Sequence, residues 1–213
     1  MRKITTIILL LVTVISFNWH INAQNPDIEA LEAINNNTNK ALKGYSTFIS
    51  ESTTFISFGI PAVLGAVSLI NHDDEMLKNA LYIGASELVD GVITYSLKKS
   101  IHRPRPYITY PDRIEPYKLM ESMSMPSGHT SLAFAAATSL SIKYPKWYVI
   151  APSYVWACSV GYSRMNLGVH YPSDVLAGAL LGAGSAWLTS VVNDWFWKKQ
   201  NNRKIISLQN YPF

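Results

Sequence analysis

The sequence predicts an all-α fold, a multi-helix membrane bundle with five core helices after an N-terminal leader. Charged residues make up only 15% of the 213 residues, whereas soluble domains carry roughly 25%. Long apolar runs rich in Ala, Leu, Ser and Gly recur along the chain, and the strict polar–apolar alternation that marks strands does not occur. Three of these runs reach the roughly 20 residues that a membrane-spanning helix needs.

The first element is the leader, residues 1–23. Arg2 and Lys3 precede an apolar stretch from Ile4 to Phe17, and Ala23 supplies a small residue for cleavage. This order of basic, apolar and small residues is typical of a secretory signal peptide. The alternative interpretation is an uncleaved first membrane helix. Either way, the next segment emerges on the far side of the inner membrane.

The remaining elements are a polar arm and a membrane domain. Residues 24–47 are polar and are predicted to form a periplasmic arm or a short surface helix. The membrane domain, 48–197, contains five apolar segments: Phe48–Ile70, Leu77–Leu97, His129–Ile142, Trp147–Gly161 and Val175–Trp197. The third and fourth are short, so we expect the longer segments to shield them. Gly178 and Gly182 form a small-xxx-small pattern that predicts close helix packing within the chain.

Basic residues predict the orientation of the bundle. The positive-inside rule places loops rich in Lys and Arg in the cytoplasm. Residues 143–146 and the basic tail 198–213 fit that rule. Two loops then face the periplasm of a bacterial inner membrane, and we call them the first outside loop (98–128) and the second outside loop (162–174).

The outside loops carry groups suited to phosphoryl transfer. They supply three cations, a hydroxyl, a glycine at a predicted helix start, two histidines and a carboxylate: Lys98, Arg105, Arg164, Ser127, Gly128, His129, His170 and Asp174. Cations and backbone amides stabilise the charge on a transferred phosphoryl group. One histidine must be neutral to attack phosphorus, and the other must hold a proton for the leaving alkoxide. Asp174 follows His170 by four residues, close enough to orient its ring.

These residues fall into three motifs: Lys98-x6-Arg105-Pro106, Pro126-Ser127-Gly128-His129 and Ser163-Arg164-x5-His170-x3-Asp174. Together they resemble the signature of the type 2 phosphatidic acid phosphatase superfamily, which includes class A acid phosphatases and vanadium haloperoxidases. The resemblance implies that His170 is the nucleophile, Asp174 its orienting carboxylate and His129 the general acid. The residues it assigns to phosphate binding are Lys98, Arg105, Ser127, Gly128 and Arg164. It implies no metal and no other cofactor.

The resemblance implies a phosphatase acting on phosphate monoester or diphosphate groups of an envelope lipid. Lipid A ranks first, followed by undecaprenyl diphosphate and phosphatidylglycerophosphate, and aromatic and Met residues in 107–125 would line a path for the lipid chain. The expected partners are this lipid and the bilayer. The net charge of +4 without a basic stripe does not indicate nucleic acid, and the oligomeric state is not predicted. The alternatives are a soluble periplasmic acid phosphatase and a non-catalytic membrane protein retaining the scaffold.

Several further residues receive structural interpretations. His102 and Arg103 match no signature position and are predicted to be loop residues without a catalytic role. Glu87 and Asp90 lie in the second apolar segment, where ionised groups are costly, and are predicted to be structural partners inside the bundle. Cys158 stands in an apolar run and is predicted to be a small buried hydrophobe.

Overall fold

The computed structural model describes residues 24–36 and 39–209, with side chains for 26–36 and 39–196. Its helices are α1 (Gln24–Asn35), α2 (Lys40–Asn71), α3 (Asp74–Ile101), α4 (Pro106–Thr109), α5 (Gly128–Lys143), α6 (Trp147–Asn166) and α7 (Pro172–Gln209). No strand occurs among these residues, which confirms the predicted all-α class. The leader and the last four residues of the tail lie outside the described part of the chain.

Local capping sets the ends of the first two long helices. The side chain of Asn39 accepts hydrogen bonds from the amides of the first turn of α2, and Asp73 does the same for α3. His72 and His102 end these helices in the left-handed conformation, with φ of 53° and 52°. The amide of His102 donates to the Lys98 carbonyl, so Lys98 lies on the last turn of α3.

Helix α5 lies in the middle of the bundle and packs against α2, α3, α6 and α7. Its buried face consists of small residues, among them Ala133, Ala136 and Ala137. The prediction that the longer helices shield this short segment is therefore correct. Helix α6 is only partly shielded, since Val155 and Tyr148 are exposed. Cys158 on the same helix is exposed as well, so the prediction that it is buried is wrong.

Glycine residues allow α7 to approach α5 closely. A Cβ atom at Gly178 would lie 2.6 Å from the Ser127 carbonyl oxygen, and one at Gly182 would overlap the carbonyl oxygen of Ser131. A Cβ at Gly184 would meet nothing within 4 Å. The small-xxx-small pattern thus packs within the chain, as predicted.

Two helices of the described chain are long and apolar enough to cross a membrane: α2 and the part of α7 from Pro172 to Phe196. Large apolar side chains such as Phe55 and Leu180 are exposed on them. The sequence also predicts a span over Leu77–Leu97 in α3. Polar side chains along that helix, Glu87 and Asp90 among them, lower its hydropathy below that of the other two.

The polar arm contains a helix that is docked onto the outside loops. Ile28 and Leu31 of α1 are buried in a cluster with Tyr107, Val169 and Tyr171. The Asn35 side chain donates to the carbonyl oxygens of Glu115 and Asn166 at 3.1 and 3.0 Å. Helix α1 therefore covers both outside loops and fixes them to each other.

Candidate active site

The candidate site lies at one end of the bundle, where α3 and α6 end and α5 and α7 begin. Lys98 is in the last turn of α3, Arg164 in the last turn of α6, and Asp174 in the first turn of α7. Arg105 precedes α4, and Ser127 precedes α5. The structure thus brings the residues of the three motifs to one end of the molecule.

His170 lies between a carboxylate and a guanidinium group. It is buried, with its Nδ1 atom 3.4 Å from Asp174 Oδ2 and its Nε2 atom 3.3 Å from Arg105 Nη1. Arg can only donate hydrogen bonds, so this arrangement requires a proton on Nδ1 and a free lone pair on Nε2. Burial, and then the charges of Arg164 and Arg105, lower the pKa of His170 to about 3 despite the neighbouring Asp174. At neutral pH the ring is therefore uncharged and nucleophilic at Nε2.

Asp174 is buried and fully hydrogen-bonded. Its Oδ2 atom accepts from Ser124 Oγ at 2.5 Å and from the Tyr171 amide at 3.0 Å. Its Oδ1 atom accepts from Arg103 Nη1 at 2.7 Å. Burial raises the pKa of Asp174, but the hydrogen bond from His170, the charge of Arg103 and the hydrogen bond from Ser124 outweigh it, so the pKa lies below its ordinary value. The carboxylate is thus ionised and fixed in orientation.

Two cations are held by the segment that precedes α5. Arg105 donates from Nε to the Ser122 carbonyl oxygen at 2.8 Å and from Nη1 to the Val169 carbonyl oxygen at 2.7 Å. Lys98 Nζ donates to the Met123 carbonyl oxygen at 2.6 Å. Burial, and the neighbouring positive charges, lower the pKa of Lys98 to about 8 and that of Arg105 to about 10. Cations that repel each other in this way form a binding site for an anion.

Arg164 is the third cation and is completely buried. Its Nη1 atom donates to the hydroxyl of Ser50 on α2. Its Nε atom has no hydrogen-bond partner among the residues that the structure describes. An unpaired N–H of a buried guanidinium group costs free energy, and a phosphate oxygen would satisfy it.

Helix α5 begins without a side-chain cap, so its first-turn amides can bind an external acceptor. The Ser127 hydroxyl bonds with Thr130 Oγ1 at 2.9 Å and does not cap the helix. Helix N-termini bind anions through such amides. His129 follows in the same turn and is half-buried. Burial, and then the charges of Arg164, Arg105 and Lys98, lower its pKa to about 3. Those charges disfavour its protonated form until an anion offsets them.

The structure gives Arg103 contacts that the sequence does not indicate. The sequence predicts a loop residue without a catalytic role, and the structure pairs its guanidinium group with Asp174 at 2.7 Å and with Asp27 of α1 at 2.8 Å. The available signal was its position two residues before Arg105 in the first motif. Asp27, Ser124 and Ser50 were also missed, and no local sequence pattern points to them.

The two buried acidic residues of α3, Glu87 and Asp90, differ in their partners. Asp90 Oδ1 accepts from Ser131 Oγ at 2.5 Å and from Ser185 Oγ at 3.4 Å, which agrees with the predicted structural role. Both carboxylate oxygens of Glu87 are buried without a partner in the described part of the chain.

The residues described by the structure include no group of three or more His, Cys, Asp or Glu side chains that could hold a metal ion.

The fold and the site define a class: helical membrane proteins with a buried His–Asp pair facing an anion site of Arg and Lys. The family model of the PAP2 superfamily matches residues 79–198. The chain belongs to the PAP2 superfamily, and within it to the phosphoric ester hydrolases.

Curated and solved relatives agree with this assignment. The chain is 29% identical over 172 residues to an undecaprenyl-diphosphatase of Sulfolobus acidocaldarius, covering 76% of each chain. It is 30% identical over 122 residues to a lipid A 1-phosphatase of Rhizobium johnstonii, covering 52% of this chain but only 46% of that relative. The solved structure of a transmembrane PAP2-type phosphatidylglycerolphosphate phosphatase from Bacillus subtilis is 26% identical, with a TM-score of 0.68 over 91% of this chain and 97% of that one.

Proposed function

We propose that this chain is a metal-independent lipid phosphatase that forms a phosphohistidine intermediate on His170. The observation that carries the proposal is the orientation of the two nitrogen atoms of the His170 ring. Its Nδ1 atom faces Asp174 and its Nε2 atom faces Arg105. This is the arrangement that a neutral imidazole nucleophile requires.

The two chemical steps use His170 and His129 in turn. The Nε2 lone pair of His170 attacks phosphorus, the bond from phosphorus to the lipid oxygen breaks, and His129 gives its proton to the leaving oxygen. Water then attacks the phosphohistidine and gives a proton to His129, the P–N bond breaks, and inorganic phosphate leaves. Asp174 stabilises the positive charge that His170 carries while it is phosphorylated.

The three cations bind the transferred phosphoryl group. Arg105 and Arg164 provide planar guanidinium groups and Lys98 a point charge, which suits the three oxygens of phosphate. The incoming negative charge offsets their mutual repulsion. It also favours the protonated form of His129 that the first step needs, so substrate binding itself prepares the acid.

The substrate is proposed to be a phosphate monoester or diphosphate of an envelope lipid, with lipid A first and undecaprenyl diphosphate and phosphatidylglycerophosphate next. The lipid phosphatases among the relatives support this class. Exposed apolar side chains support it as well, since Leu119 and Ile108 are exposed on the first outside loop. We place the protein in the bacterial inner membrane, with this end of the bundle facing the periplasm.

Trapping the intermediate tests the mechanism. Rapid quenching during turnover should recover acid-labile phosphate on the wild-type protein, and His170→Ala should carry none and lose at least about 10³-fold in rate. His102→Asn is the control, because Asn tolerates the left-handed backbone of that exposed histidine, and it should retain full turnover. More than about a tenth of wild-type turnover in His170→Ala would refute the assignment.

The substrate class needs a second experiment. Phosphate release should be compared for lipid A, undecaprenyl diphosphate, phosphatidylglycerophosphate and a water-soluble ester, all in excess EDTA and with and without vanadate. A lipid should be preferred, EDTA should have no effect, and vanadate should inhibit. Preference for the soluble ester, together with release from membranes by carbonate, would support a soluble acid phosphatase instead.

A further inference from the structure

Arg103 links two carboxylates from distant parts of the chain. Its Nη1 atom donates to Asp174 Oδ1 and to Ser173 Oγ, each at 2.7 Å, and its Nη2 atom donates to Asp27 Oδ2 at 2.8 Å. The Cζ atom of the guanidinium group lies 3.9 Å from the centre of the Tyr171 ring. These contacts on several sides hold the guanidinium group of Arg103 in one orientation.

Asp27 also fixes the start of the helix that carries Asp174. Its Oδ1 atom accepts from the Ser173 amide at 3.0 Å, and its Oδ2 atom accepts from Ser173 Oγ at 2.5 Å. A carboxylate on α1 therefore satisfies a first-turn amide of α7, the task usually performed by a residue of the same helix. The buried packing of Ile28 and Leu31 holds α1 in place for this contact.

Resting on the proposed phosphatase function, we propose that Arg103 is a positioning residue for the reaction, acting through Asp174, and that α1 holds it through Asp27. Asp174 must remain ionised and aligned with His170 Nδ1 to fix the nucleophilic tautomer. Arg103 is the cation in direct contact with it among the described residues. Helix α1, which precedes the membrane domain, thereby helps to hold the catalytic residues in position.

The charges around Asp174 show what loss of Arg103 would do. The charged groups around this pair come from α1, both outside loops and the helix ends. Arg103, which is itself paired with Asp27, acts on Asp174, and Arg105 and Arg164 act on His170. Asp174 also interacts with Lys98, and the same three cations Lys98, Arg105 and Arg164 act on His129 at the start of α5. At neutral pH His170 is uncharged, so Arg103 is the main charged group in contact with Asp174. A buried carboxylate without its cation takes up a proton, and Asp174 would then no longer accept from the Nδ1 proton of His170.

The chain offers a matched control on the same helix. Glu32 of α1 pairs with Arg113 at 2.5 Å, but both side chains are about one-third exposed and neither touches the site. Exposed ion pairs contribute little. A role limited to attaching α1 to the loops would make the two pairs equivalent, whereas a positioning role makes only the Asp27–Arg103 pair important for turnover.

The test compares four variants by release of phosphate from dioctanoyl phosphatidic acid in detergent micelles across pH. Arg103→Gln should lower kcat about 10- to 100-fold, the range seen for residues that orient catalytic ligands, with KM changed less than about threefold. Its acidic limb, to which Asp174 and His170 both contribute, should move to higher pH because a cation has been removed. Arg103→Lys keeps the charge, so its limb should stay in place while kcat falls less.

Asp27→Asn tests the alignment of Arg103 without removing its positive charge. The amide can still accept from the Ser173 backbone but cannot accept from Arg103 and the Ser173 hydroxyl together, so kcat should fall several-fold with no upward shift of the acidic limb. Glu32→Gln should leave kcat and the limb unchanged. Thermal midpoints in detergent report folding, and if Arg103→Gln does not fold, a double-mutant cycle of Asp27→Asn with Arg103→Lys replaces it and should show non-additive losses in kcat.

Three results would overturn the inference: unchanged kcat in Arg103→Gln, an unmoved acidic limb in that variant, or an equal loss in Glu32→Gln. In the replacement cycle, additive losses would do the same. These failures are distinct from failure of the proposed function, since phosphoenzyme trapping on the wild-type protein tests that function without any of these variants.

Discussion

At the scale of single residues, buried positive charges close to one another dominate the site. Lys98 illustrates the consequence, because burial and then Arg105 lower the pKa of its ammonium group to about 8. The lysine is charged below that pH and loses its charge above it. Phosphate binding should therefore weaken as the pH rises through this range, within the interval where many enzymes work.

We expect an alkaline limb in kcat/KM near pH 8 that reports Lys98 in the free enzyme. Lys98→Arg should move this limb to higher pH, because a guanidinium group keeps its charge. The profile is measured by phosphate release between about pH 6 and about pH 10, an interval that brackets the pKa of Lys98. A limb that remains in place in Lys98→Arg would assign the titration to another group.

Ser50 provides a second residue-scale prediction. Its hydroxyl accepts from the buried Arg164, so Ser50→Ala should misplace that guanidinium group and raise KM about 5- to 20-fold, equivalent to about 1–2 kcal/mol for a lost hydrogen bond to a charged group. Ser57→Ala is the control, since Ser57 is equally buried on α2 and its hydroxyl has no partner among the described residues. Equal KM values in the two variants would remove Ser50 from the site.

At the scale of elements, the helices were predictable where the apolar run coincides with the helix and not where polar turns extend it. Helix α2 begins at Lys40, not Phe48, because Asn39 caps a polar first turn. Helix α6 continues to Asn166, so Arg164 lies on a helix although the sequence places it in a loop. Hydropathy identifies the apolar part of a helix. It gives no information on polar turns that are stabilised by caps or by contacts with other elements.

The packing of α7 on α5 carries an element-scale prediction. Gly182→Ala should destabilise the detergent-solubilised protein by about 1–3 kcal/mol or more, since the added methyl group overlaps the Ser131 carbonyl oxygen and forces the helices apart. Activity should fall with it, because the same pair of helices carries His129 and Asp174. Thermal unfolding measures the effect.

Gly184→Ala on the same helix is the matched control. A methyl group there meets nothing within 4 Å, and Ala favours a helix over Gly by about 1 kcal/mol. Its thermal midpoint should equal or exceed that of the wild type. Destabilisation of both variants by the same amount would show that the close approach of α5 and α7 is not what the glycine pattern provides.

At the scale of the whole molecule, the three motifs were predictable because their internal spacing is local. The charges that support them were not, because they depend on how α1 docks. Asp27 and Asp174 lie far apart in sequence, and both pair with Arg103 in the fold. Arg164 and Ser50 are likewise separated by 114 positions. Such pairs arise from tertiary packing, for which the periodicity of a single sequence carries no signal.

The orientation of the bundle in the membrane is the remaining whole-molecule prediction. Asp112 is exposed on the first outside loop, and Asp73 is exposed at the turn between α2 and α3, at the other end of these helices. The basic residues of 143–146 also lie at that other end, which is where the positive-inside rule places the cytoplasm. We therefore expect Asp112 to face the periplasm and Asp73 the cytoplasm.

Single-cysteine labelling measures this directly. Because Cys158 is exposed, the background must be Cys158→Ser, and each single-cysteine protein must first show wild-type phosphate release. In intact spheroplasts Asp112→Cys should react with a membrane-impermeant maleimide and Asp73→Cys should not, while both should react after the membrane is permeabilised. The opposite pattern would reverse the orientation and place the substrate's phosphate on the cytoplasmic leaflet. The assignments of His170 and His129 would then stand unchanged, because the chemistry of the site does not depend on which side of the membrane it faces.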